Sequence, residues 1–194
     1  MSFEKFFINN IVDTILKIEI KKIYKIINLL ILLRKKNGRL FIIGLGGSAA
    51  NSSHAVNDFR KLCKINAISP IDNFSEFSAT ANDSGFENIF LETIKISKIN
   101  KKDILMVMSV GGGSYKKKSS LPIINAIKYA KKNRCKIISF TGKKNGYASM
   151  NSDINISCEI NERKFLTPFA ESIQAIIWHL LVSHPKLQLK KTFW

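Results

Sequence analysis

Arg39-Leu40-Phe41-Ile42-Ile43-Gly44-Leu45-Gly46-Gly47-Ser48-Ala49-Ala50 is the stretch that decides the fold. Its first five residues form an apolar run, too short for a helix and bounded by Gly38 and Gly44, which predicts a buried strand. The glycines predict a tight turn, and from Ala49 to Leu62 apolar residues recur at helical spacing. Strand, glycine turn and helix is the building unit of a parallel sheet. The same order returns at Asp103 to Met108, followed by Ser109-Val110-Gly111-Gly112-Gly113-Ser114 and a helix from about Ser120 to Asn133. A third strand, Lys136 to Phe140, runs into Thr141-Gly142, and a fourth, Ile154 to Ile160, precedes a last helix from Thr167-Pro168 to about Ser183. Upstream, apolar spacing from Phe6 to about Lys36 predicts one or two helices, which Asn37-Gly38 would stop. The expectation is an α/β fold, a three-layer α/β/α sandwich of flavodoxin-like type around a mostly parallel sheet. Residues 1–194 read as one domain, with a helical segment at 1–37 and an α/β core at 38–194.

The 194 residues carry 31 Lys and Arg against 14 Asp and Glu, a net charge of +17. Such a surplus raises nucleic acid or an anionic surface as a partner. The basic residues are nearly all Lys, however, scattered through a chain equally heavy in Ile and Asn, as an AT-rich genome produces without selection for a ligand. Nucleic acid is therefore not the expected partner, and Lys116-Lys117-Lys118 reads as solvated loop charge. Cys63, Cys135 and Cys158 are an odd set without metal-ligand spacing, which predicts reduced, buried thiols. The start, MSFEKFFINN, does not read as a secretory signal. The most apolar stretch, Ile23 to Leu33, is broken by Lys25 and Asn28 and too short to span a bilayer. No membrane association and a cytoplasmic location are the expectations.

Ligands of open parallel sheets bind beyond the carboxyl ends of the strands, and two such ends carry glycine-serine loops. Glycine lets backbone N–H groups curve around phosphate oxygens, and the next helix adds its positive end. Gly46, Gly47 and Ser48, with Asn51 one turn on, and Ser109, Gly111, Gly112 and Ser114 are therefore candidate phosphate contacts. Neither loop is a Walker A motif, and the first lacks G-x-G-x-x-G, so no nucleotide cofactor is expected. His54 and Asp58 stand four apart on one helix face. Glu171, Gln174 and His179 lie in or beside an apolar helix that ought to be buried, where polar groups need partners. An acid and a histidine of this kind can move protons on a substrate carbon and its neighbouring oxygen.

These residues resemble the sugar isomerase (SIS) domain family, and within it the phosphoheptose isomerase branch. Gly44 to Ala50 looks like the family's G-N-G-G-S-A-A loop, with Leu45 replacing Asn. Asn82-Asp83-Ser84-Gly85-Phe86 is similar to its N-D-x-G-F segment, which puts Asp83 in the site. Ser109 to Ser114 takes the place of its S-T-S-G-N-S phosphate loop, and Thr167 to His179 resembles its closing helix. The resemblance implies isomerisation of sedoheptulose 7-phosphate to an aldoheptose 7-phosphate through a cis-enediol, supplying heptose for lipopolysaccharide or capsule. It makes Asp58 the base, where the family has Glu, and His179 the carrier of the oxygen protons, with Glu171 contributing. It also implies zinc in some members, held at the positions of His54, Asp58, Glu171 and His179, and a homotetramer with active sites between subunits, assembled with help from the N-terminal helices.

Three departures bear on the site. Asp58 is one methylene shorter than the family's base. Val110, Gly111 and Gly113 remove hydroxyl and amide side chains from the phosphate loop, and Tyr115 to Ser119 looks inserted before the next helix. Ser119 and Ser120, with Lys116 to Lys118 at the mouth, then join Ser48, Ser109 and Ser114 as phosphate contacts. His184, beside Pro185, reads as helix-end structure. The rival reading is a non-catalytic SIS protein that senses a phosphosugar or binds a replication initiator or nucleic acid. The pair Asp58 and His179 discriminates, because a pure binder needs no base and acid facing one pocket.

Overall fold

The computed structural model describes residues 1–158, 160 and 162–191. Its strands are β1 (Arg39–Ile43), β2 (Asn66–Ile68), β3 (Ile104–Ser109), β4 (Lys136–Thr141) and β5 (Ile154–Ser157). All pair in parallel in the order β2-β1-β3-β4-β5, the flavodoxin-type order whose reversal point lies between β1 and β3. The helices are α1 (Phe3–Leu16), α2 (Ile20–Lys35), α3 (Gly47–Cys63), α4 (Phe74–Asp83), α5 (Ile89–Ile96), α6 (Leu121–Lys132), α7 (Tyr147–Asn151) and α8 (Leu166–Ser183).

Strand alternation divides the core between two faces of the sheet. Leu40, Ile42, Met106 and Met108 point toward α2, α3 and α8, whereas Phe41, Ile43, Leu105 and Val107 point toward α5, α6 and α7. All eight are fully buried, each contributing about 1.5–3 kcal/mol of transfer free energy. In α2, Ile23, Ile26, Ile27, Leu30 and Leu33 recur every three or four residues and form its buried stripe. The helix stops where Asn37 takes a φ of 52°. Gly38 then packs against the Lys102 carbonyl so closely that any side chain there would overlap it.

Asp103 joins the starts of β1 and β3. Its buried carboxylate accepts hydrogen bonds from Arg39 N (2.8 Å), Arg39 Nη2 (2.7 Å) and the backbone and side-chain nitrogens of Asn100 (3.0 and 3.1 Å). The three cysteines are free and buried, as their spacing predicts. Burial pushes the thiol of Cys63 up to about 11, and those of Cys135 and Cys158 to about 12.

The sheet, the α2, α3, α6 and α8 segments and the strand-turn-helix order match the sequence expectation. Four elements were not anticipated. β2 has three residues, too few for a pattern, and α5 and α7 are also short. α4 leaves none of its residues fully buried, and its short apolar stripe, Phe74, Phe77 and Ala81, packs only part-buried; its start is fixed by Asn73 Oδ1 accepting from Glu76 N. β5 stops at Ser157 and does not continue to Ile160. His184 caps the end of α8, and its Nδ1 accepts from Lys186 N.

α8 is the helical stretch among the described residues that is long and apolar enough to cross a membrane, yet half of it is buried within the fold. Phe169, Ile173, Ile177, Trp178 and Leu181 supply that buried face. α1 is different. Phe7 meets Phe165 and Phe169 at 5.2 and 4.8 Å between ring centroids, but Phe3, Ile8, Val12 and Leu16 remain exposed. Phe193 and Trp194 lie outside the described residues.

Candidate functional site

The turn after β1 places Gly46 at a φ of 61°, and α3 begins immediately beyond it. α8 lies alongside α3 and runs in the same direction. Asn51 Nδ2 donates to the Glu171 carbonyl (2.9 Å) and to Gln174 Oε1 (3.3 Å). Further along, the His54 ring meets Trp178 at 4.7 Å, and Cys63 Sγ lies 3.7 Å from the Val182 carbonyl. Because Asn51, His54 and Asp58 share one face of α3, this pairing turns them all toward α8.

His54, Asp58 and His179 come together as a result. Their ligating atoms all lie within 4.8 Å of one another, His54 Nε2 stands 3.8 Å from Asp58 Oδ2, and the two imidazoles cross edge to face at 5.6 Å. The His54 side chain is 60% exposed and that of Asp58 16%, so the group opens to solvent on one side. His179 Nδ1 lies 2.8 Å from the Ala175 carbonyl. A proton on Nδ1 satisfies that carbonyl and leaves Nε2 as the reactive nitrogen. Trp178, which the sequence reading passed over, touches both imidazoles and fixes their planes. Its place directly before His179 in a buried helix was the available signal.

Glu171 does not join this group, which corrects the four-residue ligand set. Eight residues along α8, about 12 Å of rise, separate Glu171 from His179. Its carboxylate instead rests against Gly47, where any Cβ would overlap it. There it meets the positive end of α3, a favourable place for an anion. Ser48 Oγ and Gln174 Nε2, both in residues 1% exposed, have no hydrogen-bond partner among the described residues. Buried polar atoms of this kind are the ones a bound ligand can satisfy.

The loop after β3 departs from expectation. Ser109 Oγ accepts from Gly112 N (3.0 Å), while the carbonyls of Gly112 and Gly113 accept from Ala148 N and Tyr147 N at the start of α7. Ser114 and Ser119 exchange both backbone hydrogen bonds at 3.0 Å, closing a small hairpin over Tyr115 to Lys118. Their N–H groups are consumed by that pairing, so the expected backbone cradle at Ser114 and Ser119 is smaller than the sequence implied. Ser120 stands at a φ of 51° and makes no side-chain cap for α6. Gly111 remains exposed with open space around it. Asp83, also exposed, ends α4 and accepts from Asn82 Nδ2 at 2.8 Å. Beside the first turn, Leu45, Ala49, Ile71, Phe74, Phe77 and Phe86 line a cavity of about 290 Å³ that the sequence reading missed.

Comparison with known proteins agrees with this architecture. The SIS domain family model matches residues 6–142. The chain is 28% identical over 164 residues to a phosphoheptose isomerase of Helicobacter hepaticus, covering 82% of this chain and 78% of that protein. It is 30% identical over 160 residues to the phosphoheptose isomerase of Histophilus somni, covering 80% and 74%. Among solved structures, a phosphoheptose isomerase from Neisseria gonorrhoeae superposes with a TM-score of 0.78 at 21% identity, over 92% of this chain and 94% of that one. By the span of the family match and the identity of these relatives, the chain belongs to the SIS domain family, on its phosphoheptose isomerase branch.

Proposed function

We propose that the protein is a phosphosugar aldose-ketose isomerase that converts sedoheptulose 7-phosphate to D-glycero-D-manno-heptose 7-phosphate. The observation that carries the reading is the gathering of His54, Asp58 and His179 from two helices into one solvent-open group. The names of the curated relatives give the substrate class. Asp58 takes the proton from C1 of the ketose and returns it to C2, through a cis-enediol. His179 Nε2 moves the hydroxyl proton between O2 and O1, and Trp178 holds its ring while it does so. Glu171, Ser48, Asn51 and Gln174 line the end nearer the glycine turn, where they meet the sugar hydroxyls. Ser109, Gly111, Gly112, Ser114, Ser119 and Ser120 form the phosphate end, and Asp83 closes the site from α4.

Two imidazoles and a carboxylate are a zinc donor set with an open fourth position, and the spacing of their ligand atoms fits one ion. Zinc held by His54, Asp58 and His179 would act as a Lewis acid toward the sugar carbonyl, and would take the place of proton transfer by His179, because His179 Nε2 cannot hold the ion and carry a proton together. The whole chain is read as one SIS domain working in a homotetramer, because the exposed apolar side chains of α1 and the open side of the His54 group both gain cover from a neighbouring subunit. Buried free thiols support a cytoplasmic setting, and the product would feed the assembly of heptose-containing lipopolysaccharide or capsule.

The test is proton NMR in D₂O with purified protein and sedoheptulose 7-phosphate, with and without Zn²⁺. Formation of the aldoheptose phosphate with deuterium entering at C2, abolished in His179→Ala, is the expected result. Phosphosugar binding without turnover would favour the non-catalytic sensor reading instead.

A further inference from the structure

We propose that the hairpin inserted after β3 is a phosphate clamp, in which Lys116, Lys117 and Lys118 neutralise the phosphate of the sugar substrate in place of the side chains missing from the loop beneath it. This deepens the isomerase reading and rests on it for the location of the phosphate end. Two observations meet here. The loop has Val110, Gly111 and Gly113 where the resembled loop offers two hydroxyls and an amide, and Ser114 and Ser119 spend their N–H groups on each other. What is left between Ser109 and Ser114 includes no cation to balance a dianion. The same hairpin that consumes those groups presents three consecutive ammonium groups.

The hairpin is built and held. Its root is the antiparallel Ser114–Ser119 bridge, and its turn is closed by Lys118 N donating to the Tyr115 carbonyl at 3.0 Å. Ser114 Oγ accepts from Lys117 N. Lys118 adopts a φ of 48°, an uncommon conformation for a long side chain that this turn maintains. Tyr115 anchors the segment sideways: its ring meets Tyr147 edge to face at 5.6 Å, and the Lys128 ammonium sits 4.6 Å from its centroid. No carboxylate among the described residues pairs with Lys116, Lys117 or Lys118, whereas other lysines of the chain, such as Lys22, Lys95 and Lys136, do have acidic partners. Three unneutralised cations on a preformed turn, at the carboxyl end of a central strand, suit a phosphate monoester and give little to an unphosphorylated sugar.

The experiment is calorimetric titration of the full-length protein with sedoheptulose 7-phosphate, with sedoheptulose and with inorganic phosphate. The wild type is compared with the triple variants Lys116→Ala/Lys117→Ala/Lys118→Ala and Lys116→Arg/Lys117→Arg/Lys118→Arg. The expected result is about a ten-fold or larger loss of affinity for both phosphate-bearing ligands in the alanine variant, little change for sedoheptulose, and retention in the arginine variant. The loss should shrink as salt is raised, because exposed charges are screened. Equal affinity for the phosphate ligands in the wild type and the alanine variant overturns the clamp, as does failure of the wild type to bind either one. Turnover is read separately on the wild type. Phosphate affinity that depends on the lysines in a protein that turns over no heptulose phosphate sinks the isomerase reading and leaves the clamp; turnover with lysine-independent affinity does the reverse.

Discussion

At the scale of single residues, the site depends on contacts a few ångströms long, and each makes a separable prediction. Asp58→Asn keeps size and hydrogen bonding but removes the proposed base, so kcat should fall about a hundred-fold or more in the NMR assay. Asp58→Glu tests whether the shorter carboxylate is matched to its surroundings; a rise in kcat would show that it is not. Gly47→Ala forces a methyl group into the Glu171 carboxylate. The overlapped atoms are the end of a flexible side chain, and alanine favours a helix, so the melting temperature should hold while affinity for the sugar falls. Loss of melting temperature together with activity would mean that Gly47 is needed for the backbone and not for Glu171. The buried thiols predict a pH effect with a defined sign. Their folded values of about 11 to 12 lie above the ordinary 9, so the unfolded chain ionises first as pH rises. Their contribution to stability is complete below about pH 9 and is lost between there and about 12. Urea midpoints measured from pH 8 to 11 should fall, and a Cys135→Ala/Cys158→Ala variant should show a shallower fall.

At the scale of elements, the bond between the starts of β1 and β3 has the largest expected effect on stability. Asp103→Ala leaves Arg39 and the Asn100 nitrogens without their acceptor, and should cost about 3 kcal/mol in urea unfolding with the slope unchanged. The sequence named both as strand starts but not their pairing, because an Arg and an Asp 64 positions apart carry no periodic signal. The elements that were legible are those with a stripe or a run: α2 through its isoleucines and leucines, β1 and β3 through short apolar blocks, and α8 through its length. α4 stayed invisible for the opposite reason. Its apolar stripe is short and nowhere fully buried, and only the Asn73 cap marks where it starts.

At the scale of the whole molecule, the open site and the uncovered face of α1 point to assembly. Sedimentation at micromolar concentration should give a tetramer, and Phe3→Ser/Ile8→Ser/Val12→Ser should dissociate it while leaving the sheet's circular dichroism intact. A wild-type monomer that turns over at full rate would rule out a site shared between subunits. The net charge of +17 makes a second prediction. If the lysines outside the hairpin are dispersed surface charge, retention on heparin should be weak and lost at modest salt.

The sequence by itself determined the alternation of strands and helices and the two glycine-serine turns, and it marked His54, Asp58 and His179 as candidates, because these depend on local spacing and on residue type. It could place His54 and Asp58 on one helix face, since four residues bring a helix once around. Tertiary structure alone decided that α3 and α8 run side by side, that His179 therefore completes the group and that Glu171, two turns earlier, instead meets the start of α3. Pairing between helices more than a hundred residues apart is set by how both pack on one face of the sheet, and no local pattern encodes that distance.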